Sequence, residues 1–232
     1  MRSVRPRHVP CRRLSSLPAC MPLAALPPVQ SNSPARAVLG IVQIPTDYVL
    51  EKEGASIVEL FPGVEMSLQK MVFGDDSITA ETYRQAADNI TAAAATFLPR
   101  ERCSVLGVAC TSLSYTLGPA HIDHQLRAAN PDAATTDMAR AQVAALQALQ
   151  VERVALVTPY IQELADANAA FLESSTLAAG VDSRPIRVIS RATMALERDE
   201  LTSRVNKQTL RAWAQVCVCV CVCVCVCVCV TA

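Results

Sequence analysis

Residues 136–180, TDMARAQVAALQALQVERVALVTPYIQELADANAAFLESSTLAAG, decide the fold class of this chain. Over 136–150, Met138, Ala141, Ala145 and Leu149 recur on one helical stripe. Residues 153–158 (RVALVT) are a short apolar run halted by Pro159, with the length and valine content of a buried strand. A second helix is predicted over 161–179, with Leu164, Asn168, Phe171 and Leu172 on one face and Gly180 as its stop. Helix, buried strand and helix in succession are the parts of a parallel sheet with helical crossovers.

The same alternation extends outward. Upstream, 37–44 (AVLGIVQI, closed by Pro45), 64–73 and 103–110 (CSVLGVAC) read as strands. Between the last two lies an alanine-rich helix over 79–98, with Thr79 as N-cap, Glu81 in its first turn and Pro99 beyond its end. Downstream, 187–190 is a short strand and 199–215 a helix. The chain is therefore read as α/β: two Rossmann-like βαβ halves with parallel sheets, over 37–130 and 131–215, with the active site between them. Ligands of such sheets sit beyond the carboxyl ends of the strands. That rule selects three loops, 45–48, 110–118 and 158–160.

Composition agrees with a globular α/β chain. Of 232 residues 51 % are hydrophobic but only 4 % aromatic, so Ala, Val and Leu build the core. The net charge of zero conceals two unlike parts: residues 1–36 hold six arginines and no acid, and the rest carries −6. An acidic body has no electrostatic footprint for nucleic acid. Seven of the eleven cysteines lie in the Val-Cys tract, and the other four (Cys11, Cys20, Cys103, Cys110) make no disulfide framework.

Both ends stand apart by composition. Residues 1–36, rich in Arg, Ser and Pro, fit a disordered leader of organellar (mitochondrial or plastid) type or a spurious upstream extension; without it the reading is cytoplasmic. Residues 216–232 are a low-complexity tail whose strict Val-Cys alternation is what a GT repeat encodes in every forward frame. A retained intron beginning in such a repeat accounts for it better than a soft-metal ladder does. Neither end is expected to belong to the fold.

The reactive polar residues collect in the selected loops. Cys110 ends a strand and precedes Thr111, Ser112, Ser114 and Tyr115. Backbone amides and a following helix there would lower a thiol pKa, so an activated Cys110, faster to alkylate than Cys103, is one reading; a buried structural cysteine is the other. His121, Asp123 and His124 suggest a metal pair but read as a solvated helix face. No Gly-rich phosphate loop, zinc signature or nucleotide fingerprint appears, so neither cofactor nor metal is expected.

Three segments carry a resemblance. GVACTSLSYTLGPA (107–120) is similar to the Cys-Thr-Ser loop of maleate isomerases, and its TSLSY part to the Thr-Ser loop of arylmalonate decarboxylases. Residues 134–173 resemble the helix, strand and Thr-Pro-Tyr turn of the same family, and IPTDYVLEKE (44–53) its N-terminal substrate loop. The chain over 37–215 thus resembles the maleate isomerase and arylmalonate decarboxylase branch of the aspartate/glutamate racemase superfamily.

The resemblance implies a cofactor-independent cis-trans isomerase or racemase of a small dicarboxylate or amino-acid-like acid. Cys110 is then nucleophile or proton carrier, and Thr111, Ser112 and Tyr160 bind the substrate carboxylate. Thr46 and Asp47 belong to the substrate loop, where maleate isomerases keep an asparagine at the position of Asp47; that difference leaves the substrate open. The decarboxylases have glycine at position 110, so Cys110 favours isomerase or racemase chemistry over the decarboxylase alternative. The family's second cysteine falls where the Val-Cys tract begins, and its role is not transferred. The expectation is a catalytic domain truncated at its C-terminus, last strand and helix missing, with an inactive remnant as the further alternative. The partner expected is a small carboxylic acid, with further copies of the chain allowed and no nucleic acid or membrane.

Overall fold

The computed structural model describes residues 35–74, 77–99, 102–175, 185–219 and 226–228. Residues 1–34 of the arginine-rich segment and the Gly180 helix stop lie outside the described residues. Two parallel sheets organise the remainder. In the first, β1 (Ala37–Gln43) is flanked by β2 (Val64–Lys70) and β3 (Val105–Val108), and β4 (Ala134–Asp137) lies beyond β3, giving the order β2-β1-β3-β4. All three pairings are parallel. In the second sheet β5 (Arg153–Thr158) lies between β6 (Arg187–Thr193) and β7 (Val226–Val228), again all parallel.

The sequence accounts for the central strands directly. β5, five of whose six residues are buried, is the Val-rich run cut off by Pro159. β1 is followed by Ile44 and Pro45, and α1 (Val49–Val58) folds back onto β2, where Gly54 packs against the Met66 side chain. A side chain at Gly54 would collide with the Met66 methyl. The core around the first sheet joins Val38, Val42, Leu106 and Val108 to Ile90 and Phe97, and it also takes in Tyr160 and Leu164. The two halves therefore meet through apolar contact at the carboxyl ends of the strands. A separate cluster of Val143, Leu146, Val154, Leu156, Ala169, Leu172 and Ile186 fills the second half.

Several expectations are corrected. The helix over 79–98 is two pieces, α2 (Ala80–Ala86) and α3 (Asn89–Ala94). Thr79 does cap it, with Thr82 returning the bond in a capping box. The 110–118 loop is helical: α4 (Thr111–Leu117) starts directly after Cys110, and α5 (Pro119–Ala129) follows Gly118. Residues 134–137 form β4, because their polar ATTD sequence finds hydrogen bonds on the open edge of β3. α6 (Met138–Ala148) starts after it and buries Ala139, Gln142, Val143 and Leu146, so the predicted stripe of Met138, Ala141, Ala145 and Leu149 is displaced round the helix. Leu149 is in fact 66 % exposed.

α7 (Gln162–Ser174) buries Leu164, Asn168 and Leu172 as read from its spacing. The 199–215 helix divides into α8 (Asp199–Thr202) and α9 (Lys207–Cys219). The Val-Cys tract, expected outside the fold, supplies the end of α9 and the strand β7. An alternating valine run has high strand propensity, and β5 offers it a free edge.

Candidate active site

β3 delivers the chain to Cys110, which adopts an extended conformation as N-cap of α4. The Ala109 amide still bonds to the Val42 carbonyl at 2.8 Å, so the end of the sheet fixes where the thiol stands. Thr111 to Tyr115 are all buried, and the Ser114 hydroxyl donates back to the Cys110 carbonyl at 2.7 Å. The Ser112 hydroxyl is 3.7 Å from Cys110 Sγ and 2.7 Å from Tyr83 Oη. Tyr83 comes from α2 and is fully buried.

The second half contributes the turn after β5. Tyr160 is 1 % exposed, and its main chain is held by the Thr193 hydroxyl, which donates to the Tyr160 carbonyl. The phenol oxygen has no hydrogen-bond partner among the described residues, and neither has the Thr111 hydroxyl. Thr111 lies near enough to favour ionisation of Tyr160 slightly, yet the two oxygens do not close a hydrogen bond. Two buried polar groups without a partner cost free energy that a bound carboxylate would recover.

The loop after β1 supplies two further groups. Asp47 Oδ1 accepts the Val49 and Leu50 amides at 3.0 and 3.1 Å, anchoring the first turn of α1. The Thr46 hydroxyl donates to Asp199 Oδ2, and Asp199 is 2 % exposed. The strap that carries Asp199 crosses between the halves. Leu196 bonds to the Pro159 carbonyl and Ile78 to the Glu197 carbonyl, and Ser77 and Arg198 form an antiparallel bridge. Asp47, Thr111, Ala109 and Met138, with Val49, Leu50, Glu53 and Ile57, line a cavity of about 220 Å³. Cys110 is fully buried and not part of that lining.

Electrostatics overturn the expectation of an activated thiol in the ligand-free chain. Burial, then the negative charge of Asp199, push Cys110 from an ordinary 9.0 up to about 12; the Leu113 amide and Ser112 oppose this and Asp47 adds to it. Tyr83 and Tyr160 are likewise raised, first by burial and then by Cys110. Asp47 is raised by burial, against the pull of the Leu50 and Val49 amides. At neutral pH the resting site therefore holds a protonated thiol beside protonated phenols, an arrangement suited to giving protons and hydrogen bonds.

All six residues singled out in the sequence thus lie on the loops and helix turns where the halves meet. Tyr83 and Asp199 were missed. Tyr83 sits inside an ordinary amphipathic helix and Asp199 in a charged run (ERDE), so neither has a local signature. His121 and His124 are exposed on α5, and Asp123 engages Arg127 and Thr135. Among the described residues no group of three His, Cys, Asp or Glu could hold a metal ion, and no helix is long and apolar enough to cross a membrane.

Known proteins share this architecture. The maleate cis-trans isomerase of Nocardia farcinica, solved with a covalently bound succinylcysteine intermediate, superposes with a TM-score of 0.65 at 20 % identity, covering 78 % of this chain and 72 % of that one. An arylmalonate decarboxylase variant in its liganded form gives 0.64 at 24 % identity, with the same coverage. The maleate isomerase of Pseudomonas putida S16 bound to maleate gives 0.61 at 20 % identity, over 76 % and 71 % of the two chains. No curated protein sequence matches the chain. The family profile described as arylmalonate decarboxylase matches residues 39–223, a span that includes every residue of the site above. With the profile, the two parallel sheets and the Cys-Thr-Ser turn between them in agreement, this chain belongs to the arylmalonate decarboxylase family of enzymes.

Proposed function

We propose that the chain is a cofactor-independent isomerase or racemase of a small carboxylic acid, with Cys110 as proton carrier or nucleophile. Thr111, Ser112 and Tyr160 hold the substrate carboxylate, and Thr46 and Asp47 shape the far side of its binding space. The observation that carries this reading is the placement of a buried thiol, 3.7 Å from the Ser112 hydroxyl, beside the unpartnered hydroxyls of Thr111 and Tyr160. Hydrogen-bond donors aimed where a carboxylate becomes an enediolate lower the barrier to forming it. A thiol near that carbon then supplies or removes the proton. Tyr83, bonded to Ser112 at 2.7 Å, orients that hydroxyl.

The test is turnover by the full chain in deuterated buffer, followed by proton NMR, with maleate, DL-aspartate, DL-glutamate and phenylmalonate as probes. Isomerisation of maleate, or deuterium entering the α position of an amino acid, is the expected signal. Cys110→Ala should lower it by about 10²-fold or more, and Tyr160→Phe by about 10²- to 10³-fold. Undiminished turnover in Cys110→Ala would exclude the proposed role. The family profile supports a second reading, decarboxylation of a malonate, which release of carbon dioxide from phenylmalonate would establish.

A further inference from the structure

We propose that Asp47 makes this site select an acid that carries an ammonium group, so that its substrate is an amino acid and not a dicarboxylate dianion. The inference rests on the carboxylate-binding reading above and adds what else lines the same cavity. The cavity that reaches Thr111 is lined by two charged residues, Asp47 and Glu53, and both are acids. Glu53 lies near the surface, 3.5 Å from Lys207 Nζ, whereas Asp47 is 2 % exposed.

The cation nearest to Asp47 in effect is Lys70, whose ammonium is already held by Glu51 at 2.7 Å and by the Pro45 carbonyl at 3.0 Å. Burial raises the Asp47 carboxyl from its ordinary value, and the two amide bonds to Oδ1, which favour the ionised form, oppose that rise. The independent observation is Thr111, fully buried and lining the same cavity, with a hydroxyl that has no partner among the described residues.

The same cavity therefore offers the Thr111 hydroxyl to a carboxylate and the buried Asp47 carboxyl to a cation. That is the complement of a zwitterion. A second substrate carboxylate would instead meet a like charge in a place poorly reached by water, which costs several-fold to many-fold in affinity.

Matched acids that differ by the ammonium alone test this in the full chain: DL-alanine against propionate, and DL-aspartate against succinate, with binding measured by calorimetry at constant ionic strength. Each amino acid should bind about tenfold tighter than its partner or better. Asp47→Asn retains an acceptor for the Val49 and Leu50 amides and should bring both ratios close to one. Succinate binding as tightly as aspartate overturns the proposal while sparing the carboxylate site; it is the result for a protonated Asp47 donating to a second carboxylate. An unchanged ratio in Asp47→Asn overturns it too. Failure of all four acids to bind overturns both readings together.

Discussion

Cys110 has the geometry of a catalytic thiol and the electrostatics of a resting one. Its sulfur is enclosed, and the Asp199 carboxylate is the largest charge acting against ionisation. With the pKa pushed up to about 12, only a very small fraction is thiolate near neutrality, and alkylation follows the thiolate. Iodoacetamide should therefore label Cys110 far more slowly than a small free thiol at neutral pH, as peptide mass spectrometry would report. Asp199→Asn keeps an acceptor for the Thr46 hydroxyl but removes the charge, so labelling of Cys110 should accelerate in that variant. Equal rates in the two proteins would mean that access, not charge, protects the thiol.

Among the elements, the helix ends show most clearly how short-range chemistry sets the architecture. α6 stops by a Schellman arrangement: Val151 N–H reaches the Leu146 carbonyl and Gln150 N–H the Gln147 carbonyl, both at 2.9 Å. Val151 then packs on the cluster that contains Leu146 and feeds the chain into β5. The residue in the left-handed position is Gln150, at φ 55°. A side chain there costs about 1 kcal/mol or more, and glycine recovers part of it against its greater freedom in the unfolded chain. Gln150→Gly should accordingly raise stability by roughly 0.5–1 kcal/mol in urea titrations, without altering turnover. A loss of stability would show that the side chain contributes more than its backbone conformation costs. The same local logic explains α2 and α3. Thr79 caps the start as the sequence indicated and Thr82 closes the capping box, but the stretch breaks near Ala87 and Asp88, and both Tyr83 and Ile90 are buried.

For the whole molecule, the meeting of two sheets buries four acids that hold their protons tightly: Cys110, Tyr83, Tyr115 and Tyr160 are all raised, burial being the first cause for each. A folded-state pKa above the unfolded one adds stability that is complete below the unfolded value and is lost as pH rises through the folded one. The ordinary values are 9.0 for the thiol and 10.0 for the phenols, so the free energy of unfolding should fall steadily from about pH 9 upward. Urea midpoints across that range measure it, and Tyr160→Phe, which removes one titrating group, should flatten the decline. A flat profile would contradict the burial of these groups. Much of this architecture is legible in the sequence: β1, β3, β5 and α7 follow from runs of Val and Leu, from Pro45 and Pro159, and from helical spacing, because burial along one element is a local pattern. The loops holding Cys110, Thr46, Asp47 and Tyr160 follow as well, since parallel strands place their sites at the carboxyl ends. What only the tertiary structure decided was which polar groups those loops would meet. Tyr83 on α2 bonds to Ser112 beside the thiol and the Asp199 charge on α8 acts on it, β4 forms because β3 has an open edge, and burial first of all keeps Cys110 protonated. Those are properties of neighbours distant in sequence, and no periodicity or spacing within one segment records them.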